Sequence, residues 1–131
     1  MDFTVMSSGT PAGCYGSQIY AGGISVLETN QRHVTGVGTA QIGDPLCRNG
    51  KISYRDCQEV RRVNVCAVWV CRLVSMENYY AADGDSGSPV YWGNTAYGVH
   101  RGKTWNFGWR EIFSQARYFD DAISGMSVAT D

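Results

Sequence analysis

The chain has 131 residues, 44% of them apolar and 18% charged, with a formal net charge of -1. That size and apolar fraction suit one domain with a real core, and the low charge excludes a disordered or coiled-coil chain. The near-neutral balance gives no footprint for nucleic acid, and no apolar run approaches the length of a membrane span, so neither nucleic acid nor membrane is expected as a partner.

No basic-then-apolar signal segment opens the chain, which starts Met1-Asp2-Phe3. Sixteen Gly, eight Tyr and four Trp favour a turn-rich β protein over a helical bundle. In chain order, apolar alternation predicts strands over 3–6, 18–27, 34–41, 51–54, 58–75, 89–92 and 95–100. The 58–75 run is too long for one strand and predicts a bend. Trp92-Gly93-Asn94-Thr95 reads as a tight hairpin turn, because Gly and Asn accept positive φ. Ile112, Ala116, Phe119 and Ile123 then fall at helical spacing, with Gly125 as a natural end residue. The expectation is an all-β single domain over 1–131: about six antiparallel strands over roughly 1–104, closed into a barrel so that no edge is left open, and a terminal helix over about 109–125.

Five Cys lie at 14, 47, 57, 66 and 71. There is no Cys-x-x-Cys pair and there are only two His, which speaks against a zinc module, and no other metal or cofactor is expected. Disulfides imply an oxidising compartment and secretion, as for a mature or truncated piece of a secreted protein. An odd count leaves one Cys without a partner inside the chain.

One segment stands out for chemistry, Tyr80-Ala81-Ala82-Asp83-Gly84-Asp85-Ser86-Gly87-Ser88-Pro89-Val90-Tyr91. Glycines on both sides of Ser86 permit a strained turn that exposes a hydroxyl and converges backbone N–H groups on one point, as an oxyanion requires. The same residues equally make an ordinary polar turn between strands. An α/β-hydrolase elbow fails because position 88 is Ser, not Gly, and no helix pattern follows. A calcium loop fails at Gly87 and Ser88, and Asn94 stands where its closing Glu belongs. Gly102-Lys103-Thr104 misses a phosphate loop by one residue, since Gly98 is out of register.

Gly84 through Tyr91, then Gly93-Asn94-Thr95-Ala96-Tyr97-Gly98-Val99-His100, closely resembles the nucleophile region of chymotrypsin-like serine proteases, in particular the bacterial streptogrisin-type branch. Leu46-Cys47-Arg48-Asn49-Gly50 through Cys57 resembles that branch's short disulfide loop. The resemblance implies two six-stranded Greek-key barrels with the active site between them, of which this chain looks like the second, with its C-terminal helix, the N-terminal barrel being absent. It implies acyl transfer: Ser86 attacks a peptide carbonyl, the N–H groups of Gly84 and Ser86 hold the oxyanion, and a His oriented by an Asp moves the proton. The family's His motif has no match here. Met1-Asp2-Phe3-Thr4-Val5 looks like the strand that carries the acid, which makes Asp2 the candidate, against an ordinary N-terminal residue.

The resemblance also pairs Arg48 with Asp85, the residue before the nucleophile, and Cys47 with Cys57. Cys66 and Cys71 are left to clip a bend or hairpin. Cys14 remains, either as the former partner of a missing half or as a free buried thiol. The specificity pocket would be walled by His100, Arg101, Gly102 and Lys103 and by the segment through Ala82. His100 and Lys103 are compatible with an acidic substrate residue, or His100 is a strand residue with a satisfied imidazole. Two functions follow: a secreted endopeptidase acting on polypeptides, nearly inert until a His-bearing barrel chain or partner completes it, or a truncated pseudo-protease serving as a binding or structural module. The face that meets the first barrel in this family would be apolar and exposed, so dimerisation or a partner chain is expected.

Overall fold

The structure, a computed structural model, describes residues 18–20, 31–67, 69–122, 124–128 and 130. Among the described residues nine strands run in chain order: β1 (Gln18–Tyr20), β2 (Gln31–His33), β3 (Gly36–Val37), β4 (Pro45–Gly50), β5 (Tyr54–Ala67), β6 (Val70–Met76), β7 (Pro89–Trp92), β8 (Thr95–Trp105) and β9 (Trp109–Gln115). β1 and β2 pair antiparallel by themselves. The six strands from β4 to β9 close on one another: β4 pairs with β5, β5 with β6, β6 with β9, β9 with β8, β8 with β7, and β7 with β4. Every one of these pairings is antiparallel, and the return of β7 beside β4 makes the order a Greek key. Closure removes the open edges that six strands in a flat sheet would leave. The two residues of β3 add parallel to the start of β8.

Inward residues from successive strands fill the barrel. Leu46, Val60, Val74, Met76, Val90 and Phe113 form the main cluster with Ala40, and Ala67, Leu73 and Ile112 form a second towards the β5–β6 turn. β5 alternates half-buried and exposed positions along fourteen residues, as a strand with one wet face must. Its register against β6 shifts three times, and these bulges coil a long strand round the barrel.

The predicted bend in the 58–75 run is the turn between β5 and β6, and the Gly93-Asn94 turn joins β7 to β8. Elsewhere the boundaries differ. Of the strand predicted over 51–54, residues 51–53 are a turn and Tyr54 begins β5, while 45–50, read as a loop, is β4. Of 34–41 only Gly36–Val37 is strand. The stretch 3–6, part of 18–27, Asp2 and Cys14 lie outside the described residues. A short terminal helix is present, but it starts later than 109: Trp109–Gln115 is β9, Ala116–Tyr118 is a 3-10 turn, and the helix α1 is Phe119–Ala122. A spacing of four, as between Ile112 and Ala116, is even and so satisfies the period of a strand as well as that of a helix. Both disulfides form: Cys47–Cys57 joins directly opposed residues of β4 and β5, and Cys66–Cys71 clips the β5–β6 hairpin.

Candidate active site

Ser86 lies on the exposed turn that enters β7, and its hydroxyl donates to the Arg101 carbonyl on β8 at 3.2 Å. Gly84 has φ +100° and Gly87 has φ +87°, conformations open to glycine and strained for other residues. The turn is stitched to β8 on its far side: Gly87 N–H donates to the His100 carbonyl at 2.8 Å, and His100 N–H donates to the Ser88 carbonyl at 2.8 Å. Asp85 N–H closes the turn on the Ala82 carbonyl at 3.1 Å. Among the described residues, the N–H groups of Gly84 and Ser86 have no backbone acceptor.

Asp85 points the other way, into the protein, and is 0% exposed. Its carboxylate accepts from Ile52 N–H (2.8 Å), Ser53 N–H (3.2 Å), the Ser53 hydroxyl and Ala82 N–H (2.9 Å). Burial alone pushes this carboxyl up, but the donors of Ala82, Ser53 and Ile52 outweigh it and hold Asp85 well below the usual carboxylate range. The turn between β4 and β5 is thus an anion cradle under the Ser86 turn. The sequence pairing of Arg48 with Asp85 meets a richer arrangement. Arg48 Nη1 stands 3.6 Å from Asp85 Oδ2, but the closer partner is Glu111 on β9, whose Oε1 lies 3.1 Å from both Nε and Nη2. Asp56 on β5 adds a third carboxylate at 3.7 Å.

Glu111 was not picked out from the sequence. Besides Arg48, its carboxylate takes the Gln58 amide at 2.8 Å and the Tyr80 N–H, and its own N–H donates to the Asn78 carbonyl at 2.9 Å. One side chain therefore ties β9 to β4, to β5 and to the segment that leads into Ser86. Burial raises its pKa, Arg48 opposes that rise and Asp56 adds to it. The available signal was a lone Glu beside the apolar pair Ile112-Phe113. Its partners, 53 to 63 positions away, carried none.

The proposed pocket residues divide. His100 is buried within the barrel, and burial, followed by the charge of Arg48 and against that of Asp85, lowers its pKa to about 4. Its imidazole is neutral at neutral pH and belongs with the ionic cluster. Ala82 and Gly102 are half-buried. Lys103 lies exposed on an aromatic shelf, with Nζ 5.1 Å from the Tyr79 ring centre and 4.7 Å from that of Trp109. His33 ends β2, with an exposed side chain and its carbonyl bound to Asn94 at the β7–β8 turn, the other end of these strands from Ser86.

No protein-family model and no curated protein sequence matches the chain. Solved structures do. A chymotrypsin from Cellulomonas bogoriensis is 27% identical with a TM-score of 0.73, over 93% of this chain and 67% of the other. Thermobifida fusca protease A is 23% identical with a TM-score of 0.72, over 88% and 61%. A serine protease described as specific for glutamic acid, through a novel histidine triad in substrate binding, is 21% identical with a TM-score of 0.64, over 78% and 57%. The chain thus spans about three fifths of the length of the proteases that it matches. In fold, this chain is similar to the bacterial chymotrypsin-like serine proteases.

Proposed function

We propose that the chain supplies the nucleophile half of a secreted serine endopeptidase. Ser86 attacks a peptide carbonyl, and the N–H groups of Gly84 and Ser86 receive the oxyanion. The observation that carries this reading is the division of labour at the turn: Ser86 faces out with two backbone N–H groups beside it, while Asp85 is locked inward by four donors. A solvated turn has no need of a buried carboxylate at its centre. Neither histidine of the sequence is placed as the base, since His100 is inside the barrel and His33 is at the opposite end. The base is therefore assigned to a His-bearing barrel outside this sequence, and Asp2 remains the candidate that orients it. His100, buried and neutral beside the Arg48 cluster, supplies no charge to read an acidic substrate residue, so the reading carries no acidic preference.

A fluorophosphonate probe tests the assignment. The chain alone should label slowly, mixing with the His-bearing barrel of a similar protease should speed labelling, and Ser86→Ala should abolish it. Failure of every completed form to label above Ser86→Ala would leave the pseudo-protease reading, a binding or structural module.

A further inference from the structure

Beyond Ser86, β8 and β9 run on past the barrel as a two-stranded hairpin. Its rungs pair Lys103 with Glu111, Thr104 with Arg110, and Trp105 with Trp109, and Phe107 caps the tip. Phe107 is 86% exposed, Trp105 66% and Trp109 50%. The other two exposed tryptophans, Trp69 on the β5–β6 turn and Trp92 at the β7–β8 turn, lie away from the hairpin tip, so these three aromatics form a patch of their own.

The tip is also held still. Arg110 donates to the carbonyls of Asn106 (3.1 Å), Phe107 (2.9 Å) and Glu77, and the Trp105 and Trp109 rings meet edge to face at 5.4 Å. Phe107 itself has φ +51°, a conformation that costs a non-glycine residue energy. The barrel needs neither this strain nor this exposure: its core closes without the three rings.

We infer that this hairpin is a membrane-docking finger, which sets its aromatic tip into the interface of an anionic lipid surface and Lys103 among the headgroups. The order of side chains along the hairpin matches the order of a lipid interface. Apolar Phe107 leads, tryptophans follow where tryptophan favours the boundary, and Lys103 comes next, while Arg110 is spent on the three carbonyls that brace the tip. The Lys103 rung lies about 7 Å behind the tryptophan rung at strand spacing, and amphipathic surfaces sink roughly 5–10 Å into such interfaces. Residues 103–110 hold two cations and no acid. Glu111, which shares the last rung, is buried against Arg48 and faces no headgroup. The exposed acids nearby, Glu77 and Asp83, belong to the neighbouring 77–83 segment. A convex tip suits a soft medium better than a protein groove, because it offers nothing that encloses a ligand. The missing spanning stretch bears on crossing a bilayer and not on touching one. The inference stands apart from catalysis by Ser86.

The test is co-sedimentation of the full chain with vesicles of equal parts phosphatidylglycerol and phosphatidylcholine, and with phosphatidylcholine alone. Binding to the anionic vesicles is expected, with tryptophan emission quenched by brominated lipid. Trp105→Phe with Trp109→Phe keeps the aromatic tip and should remove most of that quenching. Trp105→Ala with Phe107→Ala should weaken binding about tenfold or more. Lys103→Ala should weaken it about fivefold on anionic vesicles, the equivalent of ~1 kcal/mol for one cation near such a surface. Both alanine variants change exposed side chains, so their melting temperatures should match the parent. Absence of quenching in the parent chain would overturn the inference without reference to any variant. So would binding that the Trp105→Ala, Phe107→Ala pair leaves intact, or tip-dependent self-association of a chain that ignores vesicles.

Discussion

Arg48 is the residue on which the candidate site turns. Its buried guanidinium serves Glu111, Asp85 and Asp56 at once, and it also donates to the Tyr54 carbonyl at 3.3 Å. Arg48→Met fills similar volume but leaves three carboxylates without their cation, and removing one partner of a buried ionic cluster costs about 3–5 kcal/mol. Chemical denaturation should show that loss. Glu111→Gln keeps the shape and an acceptor for Arg48, so it should cost less, about 1–2 kcal/mol. The two residues that titrate nearby carry opposite signs. His100 has a folded pKa of about 4 against 6.5 for the free group. As pH falls from 6.5 towards 4, the unfolded chain takes up a proton that the folded chain refuses, so stability falls, by on the order of 3 kcal/mol at the acid end. Glu111, raised above its ordinary 4.5, binds its proton earlier when folded, so its contribution is full below 4.5 and lost as pH rises through the folded value. Asp85, depressed, stabilises the fold throughout this window. Denaturation at pH 7 and pH 4.5 should therefore show a smaller acid loss in His100→Gln than in the parent, and a larger one in Glu111→Gln.

At the scale of elements, two disulfides fasten two hairpins. The ring closed by Cys47–Cys57 spans ten positions and that of Cys66–Cys71 spans five. Loop entropy gives about 3 kcal/mol for the first and about 2 kcal/mol for the second. Cys47 is also buried against Tyr91, whereas Cys66 and Cys71 are exposed. Replacing Cys47 and Cys57 by Ser should thus lower the melting temperature more than replacing Cys66 and Cys71, and calorimetry ranks them directly. The same contrast shows what could be read in advance. The β5–β6 bend and the Gly93-Asn94 turn were legible because local residues dictate them. β4 was not: its Cys-Arg-Asn-Gly run is buried on one side by the barrel and on the other by the Asp85 cradle, so it lacks any alternation. β9 was read as helix because its partners lie on β6 and β8, and short sequence windows see neither. Ser86 and its glycines carried a local pattern. Glu111, Gln58 and Ser53 did not, since only barrel closure brings them to Arg48 and Asp85.

For the molecule as a whole, closure passes through two adjacent residues of β8, Gly98 and Val99. Gly98 pairs with Val90 of β7 on one side and with Gln115 of β9 on the other, so it is a point where β8 belongs to both walls of the barrel. A Cβ there would meet the Phe113 ring at 2.8 Å and the Ser114 carbonyl carbon at 2.9 Å. Backbone cannot yield as a side chain does, so β8 and β9 would have to part. Gly98→Val is expected to cost more than about 3 kcal/mol, with Gly98→Ala smaller and of the same sign, because overpacking against fixed neighbours destabilises. The effect should reach the candidate site, since the Ser86 turn hangs on β8 through the Gly87 and His100 amides. Hydrogen exchange at those two amides should speed up in Gly98→Ala under native conditions. In Trp105→Ala, at the far end of the same strand, it should stay at the parent rate. Equal protection in all three proteins would mean that the turn is held without the closed barrel, and that the fold's contribution to the site ends at the Asp85 cradle.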